Sequence, residues 1–549
     1  MAKIKPAAFI TEIKNNIAEN DAVKANIVLS HIAEMELAVQ KEALDLFWLS
    51  PVEFAIPLLA AVLDKFPYLS NSFPDLKERL VARILEAPEV YLALLQDEKS
   101  ECRELLIELS GEIGLDDAYH VLMAILINAE DHDLLEKVVV ALGEIGNSGA
   151  AANIAELLYT ENDDLVAAAV KALGQLGSAT AIHRLYEKLG HNQELDFAIL
   201  DVFLDVQSHE SIKKLNNTLV SHQAHVRSAG KERLVSLGSK ALPVLADNLL
   251  QGDPDLLIHT LNVMGDMGDE GAIPAIKKLI HNQPRDGNVR FAAYETLGRL
   301  PLTKGAYVLA AGLHDPVDNV RSAAATAIDS NYNEILAAGL KNMVRGEDAE
   351  ALDMVRTIIS TQSGTIFLDL LEIDFFRKNA FECLTESAHA EVRDYFISQL
   401  KENGFEKEAA ELGGDQEEVV ETAEVVKKRV VAIDDSKMIL GIFRSMLHAL
   451  GYEPFIFLEP EVAVEEVRKL KPDAVLTDLN MPGITGIEVT RIIRETFSKD
   501  EMPVIMVTTQ NETQDNEAAK AAGVNEILHK PFTKEGIGEA LARYFPFSP

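Results

Sequence analysis

Across residues 101–332 the apolar positions recur at three- and four-residue steps, break at a small residue, and resume. In LVAAAVKALGQLG, residues 165–177, the side chains Leu165, Val166, Val170, Leu173 and Leu176 share one face of a helix. The break falls at Gly177, and ATAIHRLYEKL follows with Ile182, Leu185, Tyr186 and Leu189 again at helical spacing. The unit is therefore two short helices joined by a turn. Its closing phrase recurs with Gly114, Gly146, Gly177, Ser208, Gly238, Gly268, Pro301 and Asn331 in the same phase, 30 to 33 residues apart. A second marker, Arg227, Ile258, Arg290 and Arg321, keeps a spacing of 31 or 32. Neither helix of a unit can bury its face alone, so neighbouring units must stack, and a regular period of this length predicts an all-α solenoid.

Beyond residue 428 the pattern changes to short continuous apolar runs: RVVAIDD, DAVLTD, PVIMVT and NEILHKP. Runs of this kind predict strands of a parallel sheet buried on both faces. Each ends on a residue able to do chemistry: Asp434 and Asp435, Asp478, Thr508, and Lys530. In such sheets the carboxyl ends of the strands converge on one crevice. Three carboxylates in a small crevice repel and need a cation, and a hard ion with oxygen ligands, Mg2+, suits them. One carboxylate is then left as a nucleophile toward phosphorus. Lys530 can neutralise the phosphoryl oxygens, and the Thr508 hydroxyl can hydrogen-bond one of them, a task of positioning and charge stabilisation. The residues read as a site that makes and hydrolyses an aspartyl phosphate.

These motifs come in one order: the pair Asp434-Asp435, the run Asp478-Leu479-Asn480-Met481-Pro482-Gly483, Thr508, and Lys530-Pro531-Phe532. On them, residues 428–549 resemble a receiver domain of two-component response regulators. The resemblance implies an α/β flavodoxin-like (CheY-like) fold with a five-stranded parallel sheet, and Asp478 as phosphoacceptor. It implies Mg2+ ligation by Asp435, Asp478 and the backbone carbonyl of Asn480, with Asp434 acting through water. Asn480 and Gln510 would flank the phosphoryl group and modulate hydrolysis. One position departs from the family: Ile527 stands where an aromatic is usual, three residues before the lysine. An aliphatic side chain cannot swing inward in the way that relays the family's switch.

The repeats resemble HEAT repeats in the short form with an alanine-leucine-glycine signature, also seen in bilin-lyase-like proteins. Asp315-Pro316 and Asn319-Val320-Arg321 fit that family's turn and second-helix start. The expected organisation is divergent repeats or a cap over 1–100, regular repeats over 101–332, divergent repeats or a cap over 333–404, an acidic linker over 405–427, and the receiver over 428–549. The linker would let the receiver move relative to the solenoid.

Charge narrows the partners. The 549 residues carry a formal net charge of −37. From Val430 onward there are 12 Lys+Arg against 19 Asp+Glu, and the rest of the acidity lies in the repeats and linker. Such a surface disfavours direct binding of nucleic acid. The N-terminal stretch lacks a secretory signal, and the longest apolar run, residues 54–63, is too short to span a bilayer. The two cysteines, Cys102 and Cys383, lie far apart and read as core residues of a reducing compartment, so the cytoplasm is expected, and the two-component resemblance implies a bacterial one. His222 and His225 form an HxxH with no third ligand in view.

No nucleotide-binding loop or catalytic signature appears, and no histidine-kinase pattern, so the phosphoryl donor must be another molecule. No helix-turn-helix follows the receiver. The expectation is a signalling adaptor, not an enzyme beyond its own phosphoryl transfer and dephosphorylation. A histidine kinase, a phosphotransfer protein or a small phosphodonor would load Asp478. The receiver's helix after Thr508, its strand 525–529 and its last helix would carry the output, and an unidentified protein partner would sit on the solenoid. Two alternatives stand beside it: a constitutive scaffold with the receiver as docking module or phosphate sink, and, less favoured for want of a nucleophile in the repeats, a bilin lyase.

Overall fold

The computed structural model describes residues 5–302, 307–388, 390–413, 427–479, 481, 484–508, 513–530 and 532–545. They fall into two compact units, Met1–Lys214 and Leu215–Pro549.

The first unit is built of paired helices. His132–Ile145 and Asp163–Leu176 are the leading helices of two successive repeats, and they pack side by side. Asp131 and Asn162 cap their N-termini, accepting from the backbone N–H of Asp133 and Leu165. Gly146 and Gly177 end them in the left-handed conformation, φ 79° and 53°, which glycine adopts without strain. The middle glycine of the repeated phrase has a different cause. A Cβ on Gly143 would stand 2.8 Å from the Cα of Ala172 in the next repeat, so only glycine permits that helix approach. The phase shifts once. The residue with positive φ after the helix Gln193–Val206 is Gln207, not Ser208.

In the second unit the leading helices are Ala224–Leu237, Pro254–Met267, Gly287–Arg299 and Asp318–Ser330. The marker arginines each reach six residues back to close the turn before their own helix. Arg227 Nη1 donates to the carbonyl of Ser221 at 2.5 Å, Arg290 to Pro284 at 2.8 Å, and Arg321 to Asp315 at 2.7 Å. Arg290 also forks onto both carboxylate oxygens of Asp315, at 2.6 and 3.0 Å. Helices continue past Tyr332, with Phe367, Phe376 and Phe396 clustered in the core. Glu406–Gly413 is a helix that buries Ala409 and Leu412, so the first part of the stretch expected as linker is folded. Residues 414–426 lie outside the described residues. Among the described residues no helix is long and apolar enough to cross a membrane.

The C-terminal part alternates strand and helix: β1 Arg429–Ile433, α1 Lys437–Ala449, β2 Glu453–Phe457, α2 Pro460–Leu470, β3 Ala474–Asp478, α3 Gly486–Arg494, β4 Val504–Thr508, α4 Thr513–Ala522, β5 Glu526–His529 and α5 Lys534–Ala542. All pairings are parallel, in the order β2-β1-β3-β4-β5. One face buries Val430, Leu476 and Ile505 under Phe443, Leu447 and Leu541 of α1 and α5. The other buries Val431, Val475 and Val504 under Val464, Val467 and Ile493 of α2 and α3. The strand order reverses between β1 and β3, which opens a crevice at the carboxyl ends of those two strands. The strand β2 has no counterpart among the apolar runs of the sequence. It is a half-buried edge strand containing Pro454, and an edge tolerates both features.

Candidate functional site

Three strand ends and one loop supply the site. The chain leaves β1 through Asp434 and Asp435, β3 ends on Asp478, and β4 ends on Thr508. Asp434, Asp478 and Thr508 are all buried. Lys530 follows β5, and its backbone N–H donates to the carbonyl of Thr508 at 2.8 Å, which fixes where its side chain starts. The ammonium then reaches across the sheet edge to Asp434 Oδ2 at 2.8 Å and Asp478 Oδ1 at 3.0 Å. The other oxygen of Asp434 accepts from the backbone N–H of Ser436 at 2.9 Å.

Gly486, at the start of α3, holds Asp478 close. Its N–H donates to the carbonyl of Leu479 at 2.9 Å, and a Cβ there would stand 2.0 Å from the backbone oxygen of Asp478. Thr485 precedes it with a capping box to Glu488. Sequence reading overlooked this glycine, although its place just after the acceptor run is a signal for a close backbone approach.

Electrostatics follow from burial. Desolvation pushes the Asp434 carboxyl up to about 8; Lys530 opposes the rise, and the neighbouring charges of Asp478 and Asp435 add to it. Burial alone would lower the Lys530 ammonium, but Asp434 and Asp478 outweigh it and the net shift is upward. The Lys530 ammonium thus serves the two buried acids of the cluster, Asp434 and Asp478.

The site also has a wall from the repeats. Glu295, buried on the helix Gly287–Arg299, accepts a hydrogen bond from the Ser436 hydroxyl. Burial, and after it the charge of Asp435, raises that carboxyl. Lys231 Nζ lies 3.9 Å from Asp435 Oδ2 and 2.8 Å from Asp266 Oδ2. Asn288 donates its side-chain amide to the carbonyl of Lys530 at 2.7 Å, and Asn319 donates to the carbonyl of Phe532 at 3.2 Å. A cavity of about 460 Å³ lies between the two walls, with Asp434, Asp435, Asp478 and Lys530 on one side. Nothing local in the sequence marks Lys231, Glu295 or Asn288 as neighbours of residues 140 to 240 positions away.

The structure thus brings Asp434, Asp435, Asp478 and Lys530 onto one cavity and ties Thr508 to Lys530 through the backbone. Asn480 and Gln510 lie outside the described residues. Ile527 is partly buried and packs on the cluster of Met506, Ala519 and Leu479, the last being the residue that follows Asp478. Cys102 is buried and its thiol is pushed up by desolvation; Cys383 is half-buried. His222 is exposed and His225 half-buried. Among the described residues no set of three His, Cys, Asp or Glu side chains stands ready-made around a metal position, and the Lys530 ammonium sits between two of the acids.

The family model for the response regulator receiver domain matches residues 430–542, and that for HEAT repeats matches 87–174, 120–199 and 248–329. Chemotaxis protein CheY1 of Helicobacter pylori is 35% identical over 117 residues, which are 21% of this chain and 93% of that protein. The chain belongs to the response-regulator receiver family. The receiver stands C-terminal to HEAT repeats. The DNA-binding response regulator MtrA of Mycobacterium tuberculosis is 29% identical over 121 residues, 22% of this chain and 52% of MtrA, so the chain spans about half of that relative. Among solved structures, chemotaxis response regulator CheY4 of Vibrio cholerae shares 30% identity with the receiver (TM-score 0.21, covering 22% of this chain and 98% of that one). The receiver domain of sensor histidine kinase PA1611 from Pseudomonas aeruginosa, solved with magnesium in its active-site cleft, shares 26% (TM-score 0.21, covering 22% and 99%).

Proposed function

We propose that this chain is a phosphorylation-controlled adaptor, in which Asp478 accepts a phosphoryl group and the HEAT repeats carry a protein partner. The observation that carries the reading is the Lys530 ammonium clasped between Asp434 and Asp478 at the carboxyl end of a parallel sheet. A carboxylate oxygen of Asp478 attacks phosphorus while the bond from phosphorus to the donor breaks and its electron pair leaves with the donor. Lys530 offsets the charge that builds on the transferring oxygens, and Thr508 offers a hydroxyl at the adjacent strand end.

The donor chemistry fits Mg2+: the acids are hard oxygen ligands, and burial leaves Asp434 short of compensating charge. Asp435 and Asp478 would hold the ion, with the Asn480 carbonyl, and Asp434 through water. When bound, the ion would neutralise charge on the phosphoryl oxygens. A histidine kinase, a phosphotransfer protein or a small phosphodonor supplies the group. Beyond its own loading and hydrolysis we assign no catalysis to the chain, and we place it in the bacterial cytoplasm.

Acetyl phosphate with Mg2+ should add one phosphoryl group to the full chain and none to Asp478→Asn. Label persisting on that variant would remove the acceptor assignment. Ile527 favours a second reading, a constitutive scaffold, since the side chain that would relay the switch is aliphatic. Partner affinity that is equal with and without beryllofluoride would favour the scaffold.

A further inference from the structure

We propose that the repeats compete with protein phosphodonors for the rim of the acceptor site, so that the docked chain takes phosphoryl groups from small donors and admits a phosphohistidine on a protein only after the receiver is displaced. This inference rests on Asp478 being the acceptor.

The docking surface is specific. Asn288 and Asn319 occupy equivalent places in consecutive repeats, 31 residues apart, and their amides donate to the carbonyls of Lys530 and Phe532, two positions apart in the chain. The same helix as Asn288 places Glu295 on the Ser436 hydroxyl, and Lys231 stands opposite Asp435. A further contact pairs His448 of α1 with Glu391 of the helix Ala390–Glu402 at 3.1 Å. Phe291 packs on the receiver core beside the Phe443–Phe532 stack. The contacts go to residues that frame the site: Asp435 and Ser436 at the end of β1, and Lys530 and Phe532 after β5.

Size decides which donor enters. The cavity of about 460 Å³ reaches Asp478 and Lys530. It has room for a small acyl phosphate. A histidine on a helix of another protein must bring that helix to the same rim, where Glu295, Asn288 and Asn319 already stand. In either case the new bond joins phosphorus to an Asp478 oxygen. The bond broken is P–O for the acyl phosphate, which leaves as carboxylate, and P–N for phosphohistidine, which leaves as imidazole.

The test uses the full chain and the double variant Asn288→Ala/Asn319→Ala, whose altered side chains touch only the receiver carbonyls among the bonds described. Docking is read by a carbodiimide cross-link between Lys231 and Asp435, mapped by mass spectrometry; the variant should lose most of it. Labelling is read by intact mass with two donors, acetyl phosphate and a phosphorylated histidine phosphotransfer domain. The variant should gain about tenfold in rate from the protein donor and stay within about twofold with acetyl phosphate, as expected for loss of two hydrogen bonds that hold a closed state. A protein-donor rate unchanged in the variant, or both rates rising together, would overturn the inference while leaving Asp478 as acceptor. No label from acetyl phosphate on either protein would overturn the acceptor reading and this inference with it. Glu295→Ala offers a second route to undocking; it should shift the donor ratio in the same direction, and an unshifted ratio counts against the inference.

Discussion

The side-chain amide of Asn288 donates to the backbone carbonyl of Lys530 at 2.7 Å, across 242 positions of sequence. Lys530 is also the residue whose ammonium bridges Asp434 and Asp478. One residue therefore joins the acid cluster to the repeats, through its side chain on one side and its main chain on the other.

Removing that ammonium should be costly. Lys530→Met removes the ammonium that bridges the buried acids Asp434 and Asp478, and breaking a buried pair in this way costs about 3 kcal/mol. Hydrogen exchange of the β3 amides, compared with the parent chain, reads the loss. Adding Asp434→Asn should recover part of it, because the pair is then removed from both sides.

Gly486→Ala tests the close approach. The added methyl would stand 2.0 Å from the Asp478 oxygen and 3.2 Å from the Leu479 Cα, and backbone must move to admit it. Overpacking of this kind costs about 2 kcal/mol. The acceptor strand's end shifts with it, so labelling by acetyl phosphate should slow as well as stability fall. Equal labelling rates in the two proteins would show that the glycine serves packing alone.

Magnesium should stabilise the receiver. At ten times its Kd the ion adds about 1.4 kcal/mol if it binds only the folded state. A thermal shift with MgCl2, set against NaCl of the same ionic strength, measures this. Asp435→Asn should remove the shift, since that acid is the more exposed of the adjacent pair and needs the least rearrangement to reach an ion.

Acid should weaken the repeats through His259. Burial foremost, and then the charges of Arg227 and Lys231, lower its imidazole to about 3. The unfolded chain takes up a proton near pH 6.5, while the folded one stays neutral until about pH 3. Stability is thus lost as pH falls through that window, by about 1 kcal/mol at pH 5 once partial exposure to the cavity is allowed for. Urea midpoints at pH 7 and pH 5 read the effect, and His259→Asn should flatten the difference.

Much of this was legible in the residues. Three strands, β1, β3 and β4, carry continuous apolar runs because both faces of the parallel sheet are covered there, the half-buried edge strand β5 carries a shorter one, and the chemistry stands where each run stops. The repeat phase was legible because Gly146 and Gly177 must adopt positive φ and Gly143 must admit Ala172. The strand β2 was not, because it is half-buried and opens on Glu453 and Pro454, which do not mark a buried strand. At Ser208 the repeated phrase misplaces the turn by one residue, since Gln207 takes the left-handed conformation there. The pairing of Ser436 with Glu295 was beyond reach, because a contact across 141 positions leaves no periodic trace. Asn288 and Asn319 left one: they share a phase in the repeat, although their partners could not be read from it.

Intact-mass labelling of the full chain by acetyl phosphate and Mg2+, run beside Asp478→Asn, tests the central claim most directly. One added phosphoryl group on the parent chain and none on the variant is the expected result. Label on both, or on neither, would contradict it.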